Sequence, residues 1–434
     1  MKQIKSSERG QIVVLLALVL VAMLGVTALA VDGATIFSDR RFDQGAADAV
    51  ALAGAGKIAV ALENGLWRYE TLECNAIPTI LANGRQVAID RAATNSVVLD
   101  GDISDNHGVQ VTCYDDPTTA NGSYKDKYID VTVMITSVPQ TSFAQLVFTD
   151  ELKNTVKAVA RVRPRTTLSY GYAIASMGSG CGSDGGGIDI HGSVEVDIQG
   201  AGIFSNTCLS AEGTKVSVDV TDPHNQQGIN YRTTFTTSGS PTFNPLPTAG
   251  GAPIPKRTVP PPDCISGPNT DISDSATLNP GTYRSISLHN GLLTLNPGLY
   301  CITTGGFVAN GGTIIGDGVT IYITGGGFDV GGNVNVNLSA PVTYVYPAIK
   351  GMLIYMAEGN TSGVALSGNS TSAYYGTVYA PDSDILAGGT SSMIPTINTQ
   401  LVGKYVEVFG NSDLDIIFNS TDQFQFPSSL DMME

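Results

Sequence analysis

Few positions in this chain set reactive side chains together; the clearest is Pro381-Asp382-Ser383-Asp384. Residues two apart on a strand share a face, so Asp382 and Asp384 would stand as paired carboxylates. Such a pair suits the acid and base of a glycosidase, or the cation site of a polysaccharide lyase. A lyase also needs a Lys or Arg base, and the nearest basic residue in sequence is Lys404. A solvated turn is the simpler reading. The segment TGGGFDVGGN at 324–333 is superficially like the glycine-aspartate repeats that bind calcium. It occurs once and lacks their glycine spacing before Asp329, so it too reads as a turn. Tyr374, Tyr375 and Tyr379 could form a sugar-stacking strip. On a strand, however, Tyr375 and Tyr379 share a face with Thr377 while Tyr374 lies opposite, as ordinary packing would have it. His107, His191, His224 and His289 each sit beside Gly, Asn or Pro, with no metal-ligand spacing. There is no GxSxG, HExxH, P-loop or dinucleotide fingerprint. The sequence therefore assigns no catalytic, cofactor-binding or metal residue, and it reads as that of a non-enzyme.

Six cysteines fall as three spaced pairs: Cys74 and Cys113, Cys181 and Cys208, Cys264 and Cys301. No CxxC or Cys/His cluster accompanies them, which argues against structural zinc. In an exported chain they read as disulfide candidates, with neighbour pairing the simplest of 15 connectivities. Each closed loop would stabilise by about 3–4 kcal/mol on the chain-entropy model. The 39 acidic and 23 basic residues give a net charge of -16. That charge opposes nucleic acid and suits a soluble extracellular domain. Fifty glycines with only 14% charged residues suggest a sheet-rich body with many tight turns.

The elements that would position these residues begin with an apolar run. No charge falls between Arg9 and Asp32, a stretch long enough to cross a bilayer. Lys2, Lys5 and Arg9 precede it, which by the positive-inside tendency keeps the amino terminus cytoplasmic and sends the rest across. The competing reading is a cleavable signal ending at Ala28-Leu29-Ala30. Against cleavage, helical character continues through Ala46, Ala47, Ala49, Ala51 and Ala53. An unbroken helix from Ile12 to Leu62 would be about 75 Å long, and less than half of it would fit in lipid.

Arg9-Gly10-Gln11, the apolar run, ALAVDGA with Asp32, the pair Arg40-Arg41, and Ala46-Ala47-Asp48 follow one another. In this order they resemble the amino terminus of TadE/TadG-like proteins of the tight-adherence (Flp) pilus assembly system. The likeness covers roughly the first 60 residues. One departure concerns processing: prepilin substrates are cleaved after a Gly and carry a Glu five residues beyond, where this chain has Leu15 after Gly10. The resemblance thus implies an unprocessed anchor, with pilus-assembly or other envelope proteins as partners.

Farther on, 77–93 read as a helix following Pro78, and 109–115, 128–138 and 155–162 as strands, with a short apolar helix at 142–148. Long helix plus small antiparallel sheet is a pilin-like α+β arrangement. From 169, Gly-punctuated strands recur; Ile188, Ile190, Val194, Val196 and Ile198 alternate onto one side. LNPGTY at 278–283 returns as LNPGLY at 295–300, and GGFVANGG at 305–312 as GGFDVGGN at 326–333. Repeats of 17 and 21 residues have the length of one coil of a right-handed parallel β-helix; the alternative is an antiparallel β-sandwich. The organisation expected is a basic segment at 1–11, a transmembrane helix at 12–31, a pilin-like domain at 32–168, a β-helix at 169–424 and a tail at 425–434. Residues 221–263 hold nine of the 21 prolines and read as an extended excursion outside the core. The function expected is a membrane-anchored structural or assembly protein whose β-helix serves display, adhesion or protein contact. The alternative is a secreted or tethered β-helix that binds or cleaves a surface glycan.

Overall fold

The structure is a computed structural model. It describes residues 9–115, 127–141, 143, 151–221, 228–251, 253–331, 333–369, 371–389, 397–410 and 414–433. The helix expected at 142–148 lies, but for Phe143, outside these residues, as do Lys2, Lys5 and His224.

Helix α1 runs without a break over Arg9–Asn64. Between Arg9 and Asp32 it carries no charge, and within this run an 18-residue window with mean hydropathy 3.0 contains no buried residue. Among the described residues this is the one helix long and apolar enough to cross a membrane. The second half is different. Ala46, Ala47, Val50, Ala51, Ala55, Ile58 and Leu62 recur at helical spacing and are buried. They pack on helix α2, Pro78–Thr94, whose proline occupies a first-turn position where a missing N–H costs nothing. The helices approach closely at Gly54, where an added Cβ would stand 2.9 Å from the Gly84 carbonyl oxygen.

Against α1 lies an antiparallel sheet of β1 (Gly108–Tyr114), β2 (Tyr128–Ser137) and β3 (Asn154–Arg163). Alternate residues of β2 and β3 (Ile129, Val131, Val133, Ile135; Val156, Ala158, Ala160, Val162) close the core beneath the helix. The fourth strand is Ser429–Met433, paired antiparallel with β3. The residues expected as a tail from 425 thus return to the head.

Beyond Thr167 the architecture changes. Among the described residues, twenty-four strands form one continuous arrangement in which all assigned pairs are parallel, which excludes an antiparallel sandwich. Each pass of the chain lays down up to three short strands that pair in register with the next. Phe307 faces Phe328, with rings stacked at 5.0 Å. Leu278 faces Leu295, so the two LNPG segments are neighbours, and Tyr283 and Tyr300 make the same hydrogen bond to the carbonyls of Asn279 and Asn296. Inward Ile, Val and Leu columns fill the interior, including Ile188, Ile190, Val194, Val196 and Ile198.

The stacking order is not the chain order. Passes beginning at 174, 203 and 229 stack in one direction. The chain then crosses to the opposite end, restarts at 271, and works back. Its last pass, 401–417, pairs with the first, 174–199. The proline-rich segment is where expectation and structure part. Its strands at 229–249 continue the parallel pairing, and its second part buries Ile254 and Val259 in a third core cluster. Proline removes donors without preventing a chain from lying extended on a surface that supplies donors itself.

Candidate functional site

The motif residues of the amino-terminal stretch sort into three environments along α1. Arg9, Gly10 and Gln11 lie in its first turn. Asp32, immediately after the apolar run, is 3% exposed, and its Oδ2 accepts the Phe143 N–H at 2.9 Å. Arg40 and Arg41 face solvent. Ala46 and Ala47 enter the core, and Asp48 accepts a hydrogen bond from Gln44 one turn earlier (2.8 Å). Sequence reading missed Asp43, which is 5% exposed and accepts from Ser137 Oγ and Asn154 Nδ2. Its partners lie 94 and 111 positions away, so no local pattern marks it. At the helix end Glu63 accepts from Arg165 and from Ser428 Oγ, joining α1 to the start of the parallel body and to the returning terminus. Burial works against the Glu63 charge, but Arg165 outweighs it and holds the carboxyl below its ordinary range.

The chemistry suggested around residue 382 resolves into a structural device. Phe204, Ala175, Val402, Tyr379, Tyr355, Tyr322, Cys301 and Thr282 form one unbroken column, each in register with the next. Residues 254–265 lie along it as a strap. Ile254 exchanges two hydrogen bonds with the Asn206 side chain, Tyr379 and Tyr355 donate to the carbonyls of Arg257 and Val259, and Thr282 Oγ1 donates to that of Ile265. The Cys264–Cys301 disulfide fixes its far end. Seven strand intervals of about 4.8 Å make about 34 Å; the eleven steps from 254 to 265, extended at about 3.1 Å each, cover the same distance. Burial pushes the Tyr355 hydroxyl pKa up to about 12, so this donor keeps its proton at any physiological pH.

Asp382 holds the strap through Lys256. Both its oxygens accept from Lys256 Nζ (2.9 and 2.8 Å), the Gly359 N–H donates to Oδ2 at 2.8 Å, and Lys256 also pairs with Glu358 at 3.1 Å. Partial burial disfavours both charges, yet the mutual attraction wins: Asp382 is held below its usual range and Lys256 above its own. Asp384 goes the other way, raised by burial that Lys404 at 3.5 Å only partly offsets. The structure thus supplies a lysine beside each carboxylate, and Lys256 comes from 126 positions away. Tyr374 is fully buried and Tyr379 lies under the strap, leaving Tyr375 of that trio 38% exposed.

The other candidates disperse. Asp329 points outward on a short strand, and among the described residues no group of His, Cys, Asp or Glu could hold a metal ion. His191 lies 3.7 Å from Asp189 and 3.6 Å from Glu407 on an outer strand face, whereas His107 is tied to the Val98 carbonyl and the Thr136 N–H. A cleft of about 630 Å³ opens beside the strap and the Glu63–Arg165 pair, lined by Pro260–Pro262, Tyr344, Tyr346 and Phe424. All six cysteines are paired as Cys74–Cys113, Cys181–Cys208 and Cys264–Cys301.

No curated protein and no solved structure is similar to this chain. The helix that carries the uncovered apolar half and the buried Asp32 and Asp43 is where a family appears: residues 10–57 match the Flp pilus-assembly TadE/G-like (Tad) family.

Proposed function

We propose that this chain is a membrane-anchored, extracytoplasmic structural or assembly protein of a Tad/Flp-type pilus system. In this reading the amino terminus is cytoplasmic and the bulk lies outside. The head is a pilin-like α+β unit, and the parallel body is a right-handed β-helix that serves surface display, adhesion or contact with other envelope proteins. The carrying observation is the coincidence of the family match at 10–57 with a helix whose apolar half is unburied. The mechanism is positioning: one rigid helix links the anchor to the head, and Glu63, Arg165 and Ser428 link the head to the body. No bond is made or broken. Deleting the gene should reduce surface pili counted by electron microscopy, or adhesion; unchanged pili and adhesion would overturn this reading.

One observation favours a second reading, that of a glycan-cleaving β-helix. Asp382 and Asp384 have pKa values pushed in opposite directions, the usual mark of an acid and base pair. Lys256, however, is held protonated by two carboxylates and is unsuited to act as a base. Incubation of the protein with acidic polysaccharide and calcium separates the readings. Unsaturated products that vanish with Asp382→Ala would establish the second.

A further inference from the structure

Beyond the apolar run of α1, exposed apolar and cationic side chains continue on the same helix and beside it. Twenty residues from Ile12 to Val31 span about 30 Å, the hydrocarbon thickness of a bilayer. Asp32 is the next residue, and its carboxylate holds the Phe143 N–H at 2.9 Å. This bond places Phe143 beside the helix at the level where hydrocarbon ends, with its side chain 46% exposed. On the helix itself Phe37 (72%) and Phe42 (60%) flank the exposed Arg40 and Arg41. Helical side chains tilt toward the amino terminus, here the membrane side. Long arginine side chains can therefore reach back toward phosphates while their stems lie along apolar surface. Arg9 and Arg40 are 31 residues apart, about 46 Å of helix, close to the 40–45 Å of hydrocarbon plus both headgroup layers.

We propose that a belt around α1 just beyond the apolar run, made by Phe37, Arg40, Arg41 and Phe143, seats in the outer headgroup layer of the bilayer, with the two arginines binding anionic lipid phosphates. The occupant follows from continuity: the belt adjoins the membrane-spanning run of the same helix, and its apolar and cationic groups match the boundary of hydrocarbon and phosphate. The head is then set on the membrane at a fixed height and does not swing on a free stalk. This inference rests on the anchor reading above.

The test uses the full chain in vesicles of phosphatidylcholine and phosphatidylglycerol in equal parts. Trp67→Phe removes the one native tryptophan, and single tryptophans are placed by Phe143→Trp, by Leu20→Trp within the span, and by Leu292→Trp on the distant body. With bromine on the acyl chains, tryptophans at 20 and 143 should be quenched and that at 292 should stay bright. Position 143 bright with position 20 quenched overturns the docking alone; position 20 bright overturns the anchor as well. Moving bromine to the phosphatidylglycerol alone should quench position 143 more than bromine on phosphatidylcholine. Arg40→Gln and Arg41→Gln should each weaken that preference about fivefold, as expected for one surface cation, and an unchanged preference would overturn the role of the arginines. Should Trp67→Phe unfold the head, hydrogen exchange on the unaltered chain decides. Peptides spanning 37–42 should exchange more slowly in vesicles than in detergent, and equal rates would overturn the proposal.

Discussion

Asp43 carries a carboxylate into a seam where Ser137 and Asn154 each offer it a hydrogen. Asp43→Ala strands both donors in a dry site, which costs about 1–3 kcal/mol. A lower urea midpoint for the head, followed by the near-ultraviolet signal of Trp67, is the expected outcome. Glu63 adds a pH dependence. Its pKa is depressed in the folded state, so its contribution is present above the ordinary value of 4.5 and is lost as pH falls through the lower folded value. Hydrogen-exchange protection of Ser429–Met433, measured against intrinsic rates, should therefore fall as pH drops below the ordinary value of 4.5, and Glu63→Gln should remove that acid-induced change. These residues were the least legible in the sequence. A helix acid reads as solvated surface until a partner 100 residues away is brought to it, and only the fold brings it.

At the scale of elements, two contacts decide the packing. At the α1–α2 crossing, a side chain at Gly54 would meet the Gly84 carbonyl, Ala88 and Val131 within 3.2 Å. Gly54→Val should cost about 1–3 kcal/mol by overpacking, read as a lowered thermal midpoint of the head. Along the strap, Tyr379→Phe leaves the Arg257 carbonyl without its donor and should cost about 1 kcal/mol. Trypsin should then cut faster after Lys256 or Arg257, and Asp382→Asn should speed the same cut. The helices and β1–β3 were legible because periodicity is a local property: α2 was expected at 77–93 and stands at Pro78–Thr94. The parallel stacking announced itself through repeats, each placing like residues one pass apart. The strap was not legible. Prolines mark extended chain, but the tyrosine column that receives it is assembled from passes far apart in sequence.

Over the whole molecule, a long helix, a head and a parallel body are joined through Glu63, Arg165 and Ser428, through Arg68 and Tyr69 to Ser420 and Tyr170, and through the strand at Ser429–Met433. The pass at 174–199 lies in the middle of the stack, with an early neighbour at 203–221 on one side and the last-made pass, 401–417, on the other. A ribosome delivers these pieces in a different order from the one in which they touch. One edge of the first-made strands must therefore wait, bare, until nearly the whole chain has emerged, and bare edges invite pairing with other molecules. A chain ended before residue 397 should emerge into aggregates, seen as loss from the soluble fraction and gain of amyloid-dye binding. For such a molecule the risk lies in time: the interval between making the first layer and making its cover is an interval in which something else, a chaperone or simply speed, must guard the open side.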